Sequence, residues 1–176
     1  MQCAHSCSPR ASEGVLVSKT VCVLMVCLGN ICRSPTAHAV FLQRVASAGL
    51  QTQIQVDSAG TGDYHIGAAP DARAISAGAT RGYDLTGLRA RQVRASDFEH
   101  FDLLLAMDDN NLRDLQRQCP PAHRHKLHLF MAFAGSQNSS VPDPYYDDAP
   151  AFQHVLDLAE SAADGLLAHI RVNLLS

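Results

Sequence analysis

Six apolar residues in succession, Val21, Cys22, Val23, Leu24, Met25 and Val26, run into a turn at Gly29 and Asn30 and then into a helix start. So short a run with no polar face suits a strand covered on both sides, which a parallel sheet wrapped by helices provides. The unit recurs along the chain. Ile54 to Ser58 reads as a second strand, Phe101 to Met107 as a third and Lys126 to Phe133 as a fourth. Helices are expected between them. One starts with Ser34 as cap and Pro35 in its first turn, where the missing amide hydrogen is not needed, and runs to Ala48. Others cover Ala72 to Thr80, capped by Asp71, and Asn110 to Gln118, stopped before Pro120 and Pro121. After the loop Ala134 to Pro150, a long C-terminal helix carries Phe152, Val155, Ala159, Ala162, Leu166, Ile170 and Leu174 at helical spacing. The expected fold is α/β: a single-domain, doubly wound sheet of four parallel strands flanked by helices on both faces. Its site should lie at the carboxyl ends of the strands. Residues 1–18, rich in Ser, Cys and other small residues, read as a loose N-terminal extension, leaving 19–176 as the folded domain.

Charge and cysteine usage remove several classes of function. A net charge of -3 offers no field to draw the chain onto nucleic acid. The run Val21 to Leu28 is about half a membrane span and lies too far into the chain for a secretory signal, so no membrane partner is expected. Six cysteines, at 3, 7, 22, 27, 32 and 119, are too few and too clustered to replace a core with disulfides, which favours a reducing, cytoplasmic setting. Cys3 and Cys7 read as free thiols. His123, His125 and His128 with Cys119 lack the paired spacing of a zinc site and read as a solvated loop, so no metal is expected. Asp108 and Asp109 suit a helix start, with Asp108 in position to brace a neighbouring loop.

The chemistry concentrates where the first strand ends, in Cys27-Leu28-Gly29-Asn30-Ile31-Cys32-Arg33-Ser34. Five residues between a cysteine and an arginine let the backbone curl into a nest with its amide hydrogens inward, and the helix behind adds its positive end. Such a pocket suits a tetrahedral dianion. Gly29 and Asn30 are residue types that accept the left-handed backbone of a tight curl. Arg33 presents a planar fork to two phosphoryl oxygens, which lysine cannot reproduce. Cys27, held among amide dipoles and near Arg33, is expected as a thiolate nucleophile. The implied reaction is in-line attack of sulfur on phosphorus, giving a phosphocysteine that water hydrolyses. Ser34 is placed to hydrogen-bond the sulfur as it leaves.

A leaving oxygen needs a proton, and Asp143-Pro144-Tyr145-Tyr146, after the fourth strand, supplies an acid at the same sheet edge. Asp143 gives its proton to the leaving group and later takes one from water. Tyr64 and Tyr145 provide aromatic walls for a flat substrate ring.

Five segments, CLGNICRSP (27–35), DSAGT (57–61), ARQ (90–92), FDLLLAMDDNNLRDL (101–115) and DPYY (143–146), resemble in order and spacing the low-molecular-weight protein tyrosine phosphatases, over about residues 20 to 175. The resemblance implies a four-stranded parallel sheet, no cofactor or metal, and tyrosine-phosphorylated protein substrates. It assigns Cys27 as nucleophile, Arg33 as phosphate clamp, Ser34 and Asn30 as loop supports and Asp143 as acid. The remaining loop residues, Leu28, Gly29, Ile31 and Cys32, hold phosphate or another oxyanion, and Tyr64 and Tyr145 line the cleft. It also suggests a reversible Cys27–Cys32 disulfide, and Tyr145 or Tyr146 as a phosphorylation target. Many members have glutamate at the place of His38 and histidine at that of Leu88, so the support behind the loop is expected to be wired differently here. Ile31, where the arginine-phosphatase branch tends to have threonine, favours phosphotyrosine. Two rivals are weighed. Arsenate reductase of the same fold needs two late cysteines, and only Cys119 follows Cys32. A non-catalytic phosphoprotein-binding module is expected to lack Cys27, Arg33 or Asp143, and all three are present. A nucleotide site fails for want of a glycine-rich loop ending in Lys-Ser or Lys-Thr.

Overall fold

Strand β1, Val21–Cys27, is buried along its whole length. On one side it pairs in parallel with β2, Ile54–Gly60, and on the other with β3, Leu103–Ala106. Strand β4, Leu127–Leu129, completes the parallel sheet beside β3, giving the order β2-β1-β3-β4. The computed structural model describes residues 19–135, 137 and 139–175. The extension expected over 1–18, with Cys3 and Cys7, lies outside the described residues.

The pleat explains why β1 carries no polar residue. Val21, Val23, Met25 and Cys27 enter one apolar cluster with Leu103 and Leu105, under α1 (Arg33–Ser47) and α5 (Ala149–Asn173). Leu24 and Val26 enter the other with Leu104 and Ala106, covered by Phe98 of α3 (Asp97–His100) and Leu115 of α4 (Asp109–Gln118). Helix α2, Ala72–Ala79, packs against α5 and is capped by Asp71, whose side chain accepts from the Arg73 N–H. From β1 the chain steps outward to β2 and then crosses back to β3. The crevice at the carboxyl ends of β1 and β3 is therefore the topological switch point, where open α/β sheets bind ligands.

Three expectations need correction. The fourth strand spans three residues instead of the run to Phe133, because Phe130 and Met131, adjacent in sequence, are both buried in the same cluster. A strand would point them to opposite faces, whereas the 3-10 turn Phe130–Phe133 turns both inward. Helix α1 begins at Arg33, and Ser34 does not cap it; the N-cap is Cys32, with no side-chain bond. The segment Pro121–Lys126, expected as irregular loop, forms a 3-10 helix.

Close backbone approach fixes α5 in place. A Cβ on Gly165 would stand 1.8 Å from the Phe133 carbonyl oxygen, so only glycine lets the helix pack against that turn. Gly165→Ala should lower stability by about 1–3 kcal/mol, through forced separation of packed backbone, seen as a drop in Tm with the sheet retained by circular dichroism.

Candidate active site

The loop after β1 is folded inside out relative to ordinary backbone pairing. Its carbonyls are tied outward: Cys27 O accepts from Thr61 N–H (2.8 Å), Leu28 O from Gly62 N–H (2.9 Å) and Ile31 O from Asp71 N–H (2.8 Å). Its amides are not. Asn30 N–H donates to Cys27 Sγ at 3.3 Å, while those of Leu28, Gly29, Ile31, Cys32 and Arg33 have no acceptor among the described residues. Amides so turned, beside a helix N-terminus, form a concave anion site.

Asn30 makes the curl possible. At φ 55° it is the one non-glycine residue with positive φ among the described residues. Gly29, expected to share that role, does not adopt positive φ; its lack of a side chain serves packing, since a Cβ there would lie 2.9 Å from His65 Cδ2. Gly60 acts likewise beneath the loop, where a Cβ would meet Leu28 O at 2.5 Å.

A short chain of polar contacts then orders the sulfur. Asn30 Nδ2 donates to Ser34 Oγ at 2.8 Å, so that hydroxyl is an acceptor there. Ser34 Oγ also stands 3.0 Å from Cys27 Sγ, a contact in which either atom can donate, and 3.4 Å from Ala59 O, which can accept its proton. The Asn30 N–H and the Ser34 hydroxyl therefore both stand at Sγ. Cys32 is different: burial, with Asp71, Cys27 and Asp143 nearby, pushes its thiol up to about 12 despite the opposing Arg73, so it stays protonated. Cys27 and Cys32 are both free thiols.

Arg33 is 3% exposed, and a buried guanidinium needs partners. Nη1 donates to Asp108 Oδ2 at 2.5 Å and to Val141 O at 3.2 Å, and Nη2 to Asp143 Oδ2 at 3.2 Å. Burial works against its charge, but Cys27, Asp108 and Asp143 more than offset this and raise its pKa. Three of the guanidinium's five hydrogens are thus used. The two left are on Nε and Nη2, the nitrogens along one edge of the guanidinium. Asp108 also caps α4 by accepting from Asn111 N–H at 2.7 Å, as well as bracing the loop.

Direct hydrogen bonds join Cys27, Asn30 and Ser34 in one group and Arg33 with Asp143 in another. Around them, Leu28 is 41% and Tyr145 38% exposed, while Tyr64, at 72%, stands on the rim beside Gly62. His65, between Tyr64 and Ile66, was not anticipated. Its ring lies 6.4 Å from that of Tyr145, linking the two sides of the cleft. A hollow of about 540 Å³ lined by Arg113, Gln116, Arg117 and Arg124 lies on the outer side of α4, away from this loop. Among the described residues no group of three metal-ligating side chains comes together, and no helix is long and apolar enough to cross a membrane.

Residues 22–175 match the family of low molecular weight phosphotyrosine protein phosphatases. The chain belongs to that family. It is 43% identical over 150 residues to a putative low molecular weight protein-tyrosine-phosphatase of Synechocystis, covering 84% of this chain and 95% of the relative. To the human low molecular weight phosphotyrosine protein phosphatase it is 40% identical over 138 residues, covering 77% and 87%. A crystal structure of a protein tyrosine phosphatase from Entamoeba histolytica superposes with a TM-score of 0.85 at 37% identity, over 87% of this chain and 98% of that one.

The support behind the loop comes from residues that sequence reasoning left without a role. Arg91 N–H donates to Asn30 Oδ1 at 3.0 Å. Its guanidinium bridges Asp57 (2.9 and 3.0 Å) and Asp97 (2.9 Å). The DSAGT and ARQ segments contain two of these residues, but no local pattern says that they pair across the fold. Leu88 packs against the main core, and His38 is buried with Nδ1 at 3.2 Å from Ser58 Oγ.

Burial, opposed by Asp57 and reinforced by Arg91, lowers the His38 pKa from 6.5 to about 4. Its stabilising contribution is therefore complete above pH 6.5 and is lost as pH falls toward 4, because the unfolded chain gains a proton that the folded chain refuses. The loss amounts to about 1.4 kcal/mol per pH unit in that window. His38→Gln, which keeps a hydrogen-bonding group for Ser58, should flatten this part of the stability profile measured by denaturant unfolding. An unchanged slope between pH 6.5 and 4 would show that His38 is not buried neutral.

Proposed function

We propose that this protein hydrolyses phosphotyrosine in protein substrates, and small aryl phosphates, without a cofactor, by way of a phosphocysteine on Cys27. The observation that carries the reading is the set of five unpaired amides in the loop after Cys27, with a sixth, that of Asn30, on the sulfur and the unengaged Arg33 Nε beside them. That combination fits a phosphoryl group at its base and sides, with Ile31, Tyr64 and Tyr145 around the aryl ring.

In the first step Cys27 Sγ attacks phosphorus, the bond from phosphorus to the phenolic oxygen breaks, and the Asp143 carboxyl gives that oxygen its proton. Backbone amides and Arg33 stabilise charge on the equatorial oxygens. In the second step water attacks the phosphocysteine, Asp143 carboxylate takes its proton, and sulfur leaves accepting a hydrogen bond from Ser34. Inorganic phosphate is released. Asp143 is suited to both steps because its side chain is 46% exposed at the mouth of the site while one oxygen reaches Arg33.

We further assign residues 19–176 to the phosphatase domain and 1–18 to an extension outside it. A reducing, cytoplasmic setting fits a nucleophile that must remain a thiol. If a peroxide oxidises Cys27 to its sulfenic acid, condensation with the Cys32 thiol expels water and forms a disulfide, which reductant reopens.

Hydrolysis of p-nitrophenyl phosphate in chelator and reductant tests the reading. Native protein should turn over; Cys27→Ser should be inactive; Asp143→Ala should lose about 10²–10³ in kcat, the usual range for removing a general acid. Arg33→Lys should lose about as much, since lysine cannot form the fork. A native protein that binds phosphate but releases none from any aryl ester overturns the reading in favour of a binding module.

A further inference from the structure

The segment that carries Asp143 has no regular structure of its own between the turn at Phe133 and α5. Its first part is anchored directly. Val141 N–H donates to Met107 O at 2.7 Å, and Val141 O accepts from Arg33. Beyond Asp143 the internal bonds are two, from Tyr145 N–H to Asp143 Oδ1 at 3.2 Å and from Asp147 N–H to Pro144 O at 3.0 Å. These shape the turn without fixing it to the rest of the protein.

Hydrogen bonds from one side chain do that, beside the ring contact of His65 with Tyr145. Arg73, in the first turn of α2, donates from Nη2 to Tyr145 O at 3.0 Å and from Nη1 to Asp147 O at 3.2 Å. Its guanidinium lies 5.8 Å from the centre of the Tyr145 ring and 4.6 Å from that of Phe152 in α5. The same group is held from the other side by Asp71, through Nε at 2.9 Å and Nη2 at 2.8 Å. Asp71 in turn donates its backbone N–H to Ile31 O of the anion-binding loop. A single guanidinium thus spans from the loop that would hold phosphate to the loop that carries the acid.

We propose that Arg73 is a positioning residue that sets where Asp143 presents its proton relative to the leaving oxygen. The proposal rests on the reading of Asp143 as general acid. Proton transfer requires heavy atoms within hydrogen-bond reach, and a displacement of about 1 Å costs up to roughly a hundredfold in rate. Arg73 meets this need with four of its hydrogens in three directions. Lysine, a point charge with one nitrogen, cannot reach Asp71 and both loop carbonyls together.

The test measures kcat/KM for a series of aryl phosphates from p-nitrophenyl, whose phenolate leaves readily, to unsubstituted phenyl, which needs the proton. Arg73→Ala should lose roughly tenfold on phenyl phosphate, a fraction of the full penalty of misplacement, and clearly less on p-nitrophenyl phosphate. Arg73→Lys should behave like alanine. Inhibition by inorganic phosphate should stay within about twofold of native, because the amides and Arg33 are untouched. In the Asp143→Ala background Arg73→Ala should cost nothing further. Equal loss across all leaving groups, rescue by lysine, native activity in both variants, or additivity with Asp143→Ala would each overturn the proposal. If Asp143→Ala alone leaves the leaving-group dependence unchanged, the acid assignment itself falls, and the role of Arg73 falls with it.

Discussion

Everything at this site depends on which way the peptide groups of the loop after β1 are turned. Its carbonyls are bound outward by Thr61, Gly62 and Asp71, on the chain that follows β2, and its amides are left without a backbone partner, that of Asn30 on the Cys27 sulfur. Reversing even part of that arrangement would point oxygen at the anion. Paying for it falls to neighbouring backbone: Gly60 admits the loop's close approach, and Asn30 accepts the left-handed conformation that closes the curl. The parallel sheet contributes by delivering β1 to a switch point, where no neighbouring connection covers its carboxyl end.

The charged groups are arranged around the same requirement. Arg33 is buried, so its charge must be compensated in the resting protein, yet it must keep donors for a substrate. Asp108, Val141 O and Asp143 meet the first need while leaving the Nε edge unengaged. A second arginine, Arg91, does comparable work one layer back, clamped by Asp57 and Asp97 while its own backbone N–H fixes Asn30. A neutral His38 beside that layer adds no net charge behind the thiol pocket at working pH, which suits a site whose charges should face the ligand.

Much of this was legible in the linear chain because it is local. The apolar run of β1, the Gly-Asn turn and the spacing from Cys27 to Arg33 lie within thirteen consecutive residues, and the doubly wound topology follows from strand and helix alternation. What escaped reading is long-range. Arg91 meets Asp57 of the edge strand β2 from a segment thirty-four positions later, Arg73 meets a loop more than seventy positions later, and neither residue type is unusual where it stands. Ser34 shows a different failure: it satisfies the pattern of a helix cap, but the helix already starts at Arg33, so Ser34 lies inside its first turn with its hydroxyl 3.0 Å from the Cys27 sulfur. The overlong fourth strand had the same kind of cause, since burial of Phe130 and Met131 on one side outweighed the strand pattern.

The most direct test of the account is to titrate inorganic phosphate into uniformly ¹⁵N-labelled protein and follow the backbone amides. The account predicts that Leu28, Gly29, Ile31, Cys32 and Arg33 N–H signals move downfield together, with one common saturation, as the unpaired donors acquire an acceptor. Amides of this loop that stay unmoved while phosphate binds elsewhere would contradict the central claim that their convergence makes the site.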